Sequence, residues 1–346
     1  MSISDTASPF VSILIVTRHR ADWLRQCIES IESAELPWPL EIIVMVNGDC
    51  AETVAWLRIR PSISWRCCIQ TTPAGARNRA LPLTTGKFVC FLDDDVCVPQ
   101  KYFRVFQDLL AVYPEVEIAG GPDATFTDAS YIEYAIGLAL MSPLSTAHTR
   151  WRHSGGRGTG VRVADEGSLI LCNLWMRRDL IPRESRLFDE RFRRGEENVL
   201  LNQHRGRVML HDPTLFVYHR RKTNFSAFFR AVFFSGFFRA QSFCLYPTSI
   251  RAVYFVPTLF TAYCATKYLI RWPFAYGPIG LYVCLNLGAS LVLGCRGRRW
   301  WLFPVVSFYQ ASITLGYGLG FAAGMLRTLI SKAHQGKRMA TDQEEW

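Results

Sequence analysis

The chain lacks the cysteine and histidine patterns that mark disulfide-stabilised domains and zinc modules. Its eleven cysteines include no C-x-x-C pair, and the seven histidines show no metal-ligand spacing among themselves. We therefore expect reduced, mostly packed thiols, and we exclude a disulfide framework or a zinc site. The first residues, Met1–Asp5, show no basic region followed by an apolar run, so we expect no signal peptide and a first domain that stays in the cytoplasm.

Charge is nearly absent from three stretches of the C-terminal third. Val253–Ile270 contains one charged residue, Lys267, and Tyr276–Leu293 and Trp301–Leu326 contain none. A bilayer is crossed by roughly 20 apolar residues. We therefore predict about three transmembrane helices within residues 252–330, with a large buried helical core as the alternative.

The distribution of arginines gives these spans an orientation. The loop at residues 295–299 carries three arginines, which places it on the cytoplasmic side by the positive-inside rule. Three spans would then leave the charged tail, residues 331–346, on the other side, so the number of spans stays open.

The net charge of +10 is concentrated before these stretches. Residues 205–251 contain eight Lys or Arg residues and one acid. A basic belt beside membrane segments is typical of contact with anionic lipids, and its interleaved phenylalanines argue against nucleic acid. We predict that residues 223–251 form one or two short interfacial helices, with Arg230 and Arg239 toward the headgroups. Part of a span is the alternative for the second half.

The N-terminal residues, 1–222, alternate strand and helix patterns. The apolar runs Phe10–Val16, Glu41–Val46 and Lys87–Leu92 predict strands, and Ala21–Ala34 and Lys101–Tyr113 predict helices. This alternation predicts an α/β fold with a parallel sheet covered on both faces. Ligands of such sheets bind at the carboxyl ends of the strands.

Three consecutive carboxylates, Asp93–Asp95, end the third of these strands. Carboxylates this close need a cation to stay ionised together, and oxygen-rich sites suit Mg²⁺ or Mn²⁺. Because such ions keep open positions for phosphate oxygens, we expect an enzyme that acts on a diphosphate. The alternative is a solvated acidic turn.

Six motifs in order resemble the family 2 glycosyltransferases of the GT-A fold over about residues 9–222. The matching segments are Val11–Thr17 with Arg20, Glu41–Gly48, Gly75–Ala80, Thr85–Asp95, Cys172–Arg178 and Phe188–Asn198, followed by Tyr218–His219. The resemblance implies a GT-A, Rossmann-like, nucleotide-sugar-binding domain followed by an α-helical membrane domain.

The resemblance also assigns roles to residues. It implies that Glu197 is the catalytic base, with Glu196 as its rival, and that Asp93 and Asp95 hold the divalent metal, Mg²⁺ or Mn²⁺. His219 is a further candidate ligand of this metal or of the diphosphate, and a buried hydrogen-bonded histidine is the alternative. The resemblance implies a set of donor-binding residues, which are Thr17, Arg20, Asn47, Asp49, Arg77, Asn78, Asp93 and Asp94. It places Asn173 and Arg177 on the acceptor side. Without the resemblance, Glu196 and Glu197 indicate an acidic helix start, which the helix dipole favours.

The sequence departs from the family pattern at a donor-binding position and at the motif of the catalytic base. Val46 stands where many relatives have an acid before Asn-Gly, and Asp49 is a possible substitute. The base motif has Glu-Glu where Glu-Asp or Asp-Asp is common. The Gln-x-x-Arg-Trp motif of processive synthases is also missing, because the nearest segment, Gln203–Arg207, has no tryptophan. We therefore expect an enzyme that adds one sugar.

These expectations combine into one function. We expect an inverting, non-processive, metal-dependent glycosyltransferase that moves one sugar from a nucleotide-diphosphate sugar to a lipid-linked acceptor. Its setting would be surface polysaccharide biosynthesis at the bacterial inner membrane. A polyprenyl-phosphate glycosyltransferase and a noncatalytic membrane scaffold with a glycosyltransferase-like domain are the alternatives. A transporter is weaker, since Lys267 is the one charge inside the spans.

Overall fold

A computed structural model describes most of the chain in two compact units. The described residues are 10–153, 155, 158, 160–182, 186–269 and 273–344. Met1–Asp5, used above for the signal-peptide argument, and residue 270, the end of the first predicted span, lie outside them. The N-terminal unit comprises Met1–Ala129 and His148–Arg221, and the helical unit comprises Ser130–Ala147 and Lys222–Trp346. Residues 130–147 thus join the helical unit, although the expected boundary put them in the first domain.

Short strands and helices alternate along the described part of the N-terminal unit. The strands are β1 (Val11–Thr17), β2 (Leu40–Asn47), β3 (Ile63–Cys68), β4 (Phe88–Asp93), β5 (Val96–Cys97), β6 (Ile118–Gly120), β7 (Asp123–Ala124), β8 (Arg162–Val163), β9 (Asn173–Arg177), β10 (Met209–His211) and β11 (Val217–His219). The α-helices of the chain are α1 (Ala21–Glu32), α2 (Ala51–Arg58), α3 (Pro73–Ala80), α4 (Tyr102–Val112), α5 (Tyr131–Leu140), α6 (Pro143–Thr146), α7 (Glu196–Gln203), α8 (Phe225–Leu245), α9 (Val256–Thr266), α10 (Gly277–Arg296) and α11 (Phe303–Glu344). Short 3₁₀ helices lie at Leu81–Leu83, Ala147–His153, Arg178–Leu180, Pro247–Ser249, Ala252–Phe255, Lys267–Leu269, Pro273–Tyr276 and Trp300–Leu302.

Eight strands form one mixed sheet in the order β3-β2-β1-β4-β9-β6-β10-β8. β3, β2, β1 and β4 are parallel, whereas β9 runs antiparallel to β4 and β6. A second sheet has the order β5-β11-β7. The predicted parallel sheet is confirmed for its first half, and the antiparallel β9 makes the whole sheet mixed.

The large sheet is covered on both faces, which explains its continuous apolar strands. One face packs on α1 and α4, with Leu24, Ile28 and Phe106 in the core. The opposite face packs on α3 and α7. In α1 the apolar side chains recur at helical spacing, so the buried stripe faces the sheet.

The helical unit is held together by close approach of its helices. Gly316 and Gly320 of α11 lie against α8, where a Cβ on Gly320 would come 1.9 Å from the carbonyl oxygen of Phe233. Gly236 of α8 approaches α11 in the same way, since a Cβ on it would come 2.2 Å from the carbonyl oxygen of Tyr317. Small residues of this kind let helix backbones touch. α5 adds Ala135 and Ile136 to a core with α8 and α11.

Two helical stretches among the described residues are long and apolar enough to cross a membrane, Gly277–Arg296 and Trp300–Ser331. The first of the three expected spans is shorter than predicted, because α9 has only 11 residues and Pro257 lies in its first turn. The phenylalanine-rich segment also differs from expectation. It forms one helix of 21 residues, α8, capped by Asn224.

Arg239 does not occupy the surface position, toward the lipid headgroups, that was predicted for it. Its side chain is buried, and the guanidinium lies 4.6 Å from the centre of the Tyr254 ring. The cation–π contact explains why this arginine turns inward. Arg230 on the same helix is exposed.

Candidate active site

Three parallel strands end side by side and define one edge of the large sheet. In their register Val16 pairs with Asp93, and Thr17 pairs with Val46. The residues that follow β1, β2 and β4 therefore lie at the same edge, where sheets of this kind bind ligands.

Two carboxylates of the acidic triplet, Asp94 and Asp95, are paired with an arginine of the same unit. Arg20 donates through Nη1 to Asp94 Oδ1 at 2.9 Å and to Asp95 Oδ2 at 2.8 Å. The Thr17 hydroxyl donates to Asp94 Oδ2 at 2.7 Å. Burial raises the pKa of Asp94 to about 6, although the charge of Arg20 opposes this shift. Asp94 is thus a buried carboxylate that fixes Thr17 and Arg20 beside its two neighbours.

Asp95 and His219 form the next pair along the edge. His219 Nε2 lies 3.2 Å from Asp95 Oδ1, and its Nδ1 lies 3.1 Å from Asp123 Oδ2. Burial would raise the pKa of Asp95, but the charges of His219 and Arg20 outweigh it and lower the pKa to about 2. The same Asp95 and Asp123 carboxylates overcome burial and hold the pKa of His219 well above its usual range. The structure brings these two predicted metal ligands together.

Asp123 holds the imidazole of His219 in place through its contact with Nδ1. Both terminal nitrogens of Arg221 donate to its carboxylate, at 2.8 and 2.6 Å, and His153 Nδ1 lies 2.8 Å from Asp123 Oδ1. Burial opposes ionisation, but the charge of Arg221 prevails and holds the pKa of Asp123 well below its usual range. The bidentate pair fixes the carboxylate that in turn orients the imidazole.

Arg77 joins the acidic triplet to the predicted base motif. It donates through Nη2 to Asp93 Oδ1 at 2.7 Å and through Nη1 to Glu196 Oε1 at 2.6 Å. Burial would lower the pKa of Arg77, but the two carboxylates outweigh it and raise the pKa. Burial also raises the pKa of Glu196, against the attraction of Arg77. One guanidinium therefore links the end of β4 with the start of α7.

Glu197 lies in the first turn of α7 and is bound by a different arginine. Gly195 enters the helix with a left-handed φ of 74°, which favours glycine. Arg152 Nη1 then donates to Glu197 Oε1 at 3.0 Å. Each glutamate of the pair thus has its own buried arginine, and the two carboxylates occupy distinct surroundings.

The remaining donor-side residues divide between structural and exposed positions. Asn47 bonds to the backbone of Thr71 through both ends of its amide, at 3.0 and 2.9 Å. Asn78 holds the backbone of Phe188 in the same way. Asp49 is exposed beside them. The two amides shape the loops of the edge, whereas Asp49 stays open to solvent.

The two predicted acceptor-side residues lie at opposite ends of β9. Asn173 pairs with Leu92 near the acidic triplet, but it is fully buried and accepts a 2.6 Å bond from the Tyr102 hydroxyl. Arg177 pairs with Phe88 at the other end of the strand and donates to Asp179 at 2.6 Å. The structure therefore does not bring Arg177 to the candidate site, since it lies at the opposite end of the five-residue strand β9 from Asn173.

Sequence reasoning missed four residues of this network, which are Asp123, Arg152, His153 and Arg221. No motif singles out Arg152 or His153, because their carboxylate partners, Glu197 and Asp123, lie 45 and 30 residues away along the chain. The position of Arg221, two residues after the predicted site residue His219, could have indicated that it belongs to the site.

A second group of potential metal ligands lies behind His219. One ligand atom each from Asp123, Cys172 and His219 lie within 4.8 Å of one another. Burial raises the pKa of Cys172 to about 12, so the thiol stays protonated, and Arg221 already occupies both oxygens of Asp123. This group suits a hard cation less well than the Asp93–Asp95 edge does.

Comparison with known proteins identifies the fold and the family. A mannosyltransferase from Pyrobaculum calidifontis, solved with GDP-Man and Mn²⁺, superposes with a TM-score of 0.56 at 16% identity, over 93% of this chain and 88% of that chain. Two structures of S. aureus TarS, residues 1–349 alone and with UDP-GlcNAc, match with TM-scores of 0.41 and 0.43 at 12% and 10% identity, over 90% of each chain. No curated protein matches the chain.

The fold is the GT-A fold of nucleotide-sugar transferases, followed by C-terminal helices of which two are candidate membrane spans. Residues 12–182 match the family described as glycosyl transferase family 2. The chain therefore carries a family 2 glycosyltransferase domain, which confirms the expected family and fold.

Proposed function

We propose that this protein is an inverting, non-processive glycosyltransferase that moves one sugar from a nucleotide-diphosphate sugar to a lipid-linked acceptor in a membrane. The observation that carries the proposal is the double contact of Arg77 with Asp93 and Glu196, at 2.7 and 2.6 Å. It supports a single site in which the metal-type carboxylates and the base-type carboxylates share one edge. The mannosyltransferase solved with GDP-Man and Mn²⁺ supports a nucleotide sugar as donor.

The residues at this edge fit a divalent cation. Asp95 Oδ1 is buried without a hydrogen bond of good geometry. His219 contacts Asp123 through Nδ1, as a metal-ligating histidine backed by a carboxylate does. Its Nε2 faces Asp95 Oδ1 in this structure and would have to lose its proton to bind the ion. Asp93, Asp95 and His219 would hold Mg²⁺ or Mn²⁺. When bound, such an ion stabilises the charge of the departing diphosphate.

The glutamate pair supplies the proton chemistry of the proposed reaction. Glu197 takes the proton from an acceptor hydroxyl as that oxygen attacks the anomeric carbon. One displacement inverts the sugar without a covalent intermediate. Glu196, held by Arg77, connects the base helix to the donor carboxylates and keeps the two halves of the site in register.

A membrane acceptor follows from the helical unit. α10 exposes large apolar side chains along its length, among them Leu281, Leu285 and Val292 at 62%, 50% and 49%. An exposed apolar surface of this extent marks contact with lipid or protein. Together with the exposed Arg230 on α8, these side chains support a protein of the bacterial inner membrane. In this proposal the N-terminal domain faces the cytoplasm, and the basic belt contacts anionic lipids.

The donor and acceptor can be tested together on the full chain in lipid nanodiscs. UDP-, GDP- and dTDP-sugars are each supplied with polyprenyl phosphate or with a polyprenyl diphosphate-linked saccharide. Transfer of one sugar to the saccharide supports the proposal. Transfer to polyprenyl phosphate alone supports the second acceptor class, and absence of turnover with every donor supports a noncatalytic scaffold.

Membrane attachment is tested independently of turnover. Membranes that contain the full chain are washed with high salt and with carbonate. A protein that spans the bilayer stays in the pellet until detergent is added. Release by salt alone would contradict the spans and leave only a peripheral, charge-dependent attachment.

A further inference from the structure

One segment of the chain leaves the N-terminal unit and returns to it. It begins at Asp123, enters the helical unit at Ser130, leaves that unit after Ala147 and ends at His153. The two ends meet, because His153 Nδ1 lies 2.8 Å from Asp123 Oδ1. We call residues 123–153 the strap.

The middle of the strap is anchored by buried polar contacts. Ser142, just before α6, donates to Gln310 Oε1 of α11 at 2.7 Å, and Gln310 Nε2 donates to Ser290 Oγ of α10 at 2.6 Å. All three side chains are fully buried. Such a chain of bonds is costly to break where water cannot replace it. The strap is therefore fixed to the two candidate spans.

The returning end of the strap carries Arg152, ten residues after Ser142. Its Nε donates to Gly167 O at 3.1 Å and its Nη2 donates to Glu166 O, so backbone carbonyls set the plane of the guanidinium. The same group donates to Glu197 Oε1 at 3.0 Å and to Asn198 Oδ1 at 2.7 Å. A rigid fork held at both sides orients a carboxylate better than a flexible ammonium would.

We propose that Arg152 is the positioning residue of the base Glu197, and that the strap makes this position depend on the helical unit. The inference rests on the proposed function, because it takes Glu197 as the base. Arg152 holds one carboxylate oxygen, Oε1, which leaves the other oxygen for the acceptor proton. The strap connects this contact to the helices that would meet the lipid acceptor, so those helices contribute to the geometry of the base.

The first part is tested by Arg152→Gln and Arg152→Lys in the full chain in nanodiscs. We expect Arg152→Gln to lower kcat by up to about 10²-fold, as misplacement of a catalytic group does, while the donor Kd and acceptor KM stay within about threefold. Arg152→Lys should recover part of the loss, since it keeps the charge. Arg178→Gln is the matched control, because Arg178 also binds backbone carbonyls, of Thr84 and Ile181, but at the other end of the sheet. An unchanged kcat in Arg152→Gln, or an equal loss in the control, would overturn the role.

The second part is tested by Ser142→Ala, which removes the bond to Gln310. We expect kcat to fall by about threefold or more with donor binding unchanged, in line with the loss of one buried hydrogen bond. Ser312→Ala removes a buried hydroxyl that bonds only within α11, to Phe308 O, and should leave kcat unchanged. If both variants behave alike, the strap does not connect the helical unit to the base.

Glu197→Gln in the same assay separates this inference from the proposed function. If Glu197→Gln keeps near-normal turnover, the base itself is misassigned and the proposed chemistry fails. If Glu197→Gln is inactive while Arg152→Gln is normal, the base stands and only the positioning role is lost.

Discussion

Each of the two units of this chain is stabilised internally by a different kind of contact. At the carboxyl edge of the N-terminal unit, arginines and histidines bridge carboxylates, as Arg77 does for Asp93 and Glu196. In the helical unit, glycines such as Gly320 let the backbones of α11 and α8 touch. The first arrangement places several charged side chains at one edge, which suits the charged donor proposed above. The second depends mainly on shape, which suits a lipid environment where apolar burial favours no particular partner. Removing a charge should therefore alter chemistry, whereas adding volume should alter stability.

The largest effect is expected from Asp95→Asn, which keeps the size of the side chain and removes its charge. We expect transfer to fall by about 10³-fold or more, because the residue would lose the metal contact that stabilises the leaving diphosphate. EDTA should abolish wild-type activity, and Mn²⁺ or Mg²⁺ should restore it. The domain should stay folded, with a lower thermal unfolding midpoint because Arg20 and His219 lose their charged partner. Full activity in chelator would exclude a role for metal.

Glu197→Gln tests the base on the other side of the edge. We expect kcat to fall by about 10²–10⁴-fold, which is the usual contribution of a positioned base. Donor binding should stay within about threefold, since the carboxylate acts mainly in the transition state. Glu196→Gln should cost less. The assignment would be reversed if Glu196→Gln were inactive and Glu197→Gln retained turnover.

Gly320→Ala tests the helical unit by adding a single methyl group. Its Cβ would come 1.9 Å from Phe233 O, so α8 and α11 must separate. We expect a loss of about 1–3 kcal/mol in the free energy of unfolding, as for other overpacked sites. This loss should appear as a lower midpoint of thermal unfolding in detergent.

Gly288→Ala on α10 is the control for this experiment, because a Cβ there meets nothing within 4 Å. Its midpoint should be unchanged or slightly higher, since alanine favours helix over glycine. Equal midpoints for the two variants would show that close helix approach does not stabilise the unit.

The smallest effect is a difference in thiol labelling. Cys67 on β3 and Cys284 on α10 are both exposed. We expect a charged maleimide to label Cys67 but not Cys284 in nanodiscs, because in the proposed arrangement the exposed face of α10 would meet lipid and not water. Mass spectrometry of the peptides measures the two yields. Comparable labelling of Cys284 would place that face in water.

The sequence predicted three of the four parallel strands well, β1, β2 and β4, because each is an apolar run with a clear end. It did not predict β3, in which polar and apolar residues are mixed. The run before the acidic triplet, Lys87–Leu92, and the observed strand Phe88–Asp93 differ by one position. The antiparallel strand Asn173–Arg177 was harder to place, because direction depends on pairing with β4 and β6, which no local pattern encodes. The same holds for Arg177, whose motif did not indicate which end of its strand faces the site.

The site residues also divide into those that a local motif predicts and those that no local motif predicts. Asp93–Asp95, Glu196–Glu197 and His219 belong to local motifs, so a resemblance could point to them. Arg152 belongs to none, and its contact with Glu197 spans 45 residues. The length of α8 also differed from the one or two short helices predicted, because Gly236, which is unfavourable in an isolated helix, here allows contact with α11.

The early position of α5 and α6 in the chain has a consequence for synthesis. Their partner α11 begins roughly 150 residues later, and ribosomes add about 5–20 residues each second, so the apolar surface of α5 waits on the order of 10–30 s for its partner. During that time Ala135 and Ile136, buried in the finished protein, have no α11 to cover them. In a product truncated after the N-terminal unit, α11 is never made and the apolar surface of α5 stays uncovered. Such a product should aggregate unless residues 130–147 are also replaced by a short polar loop.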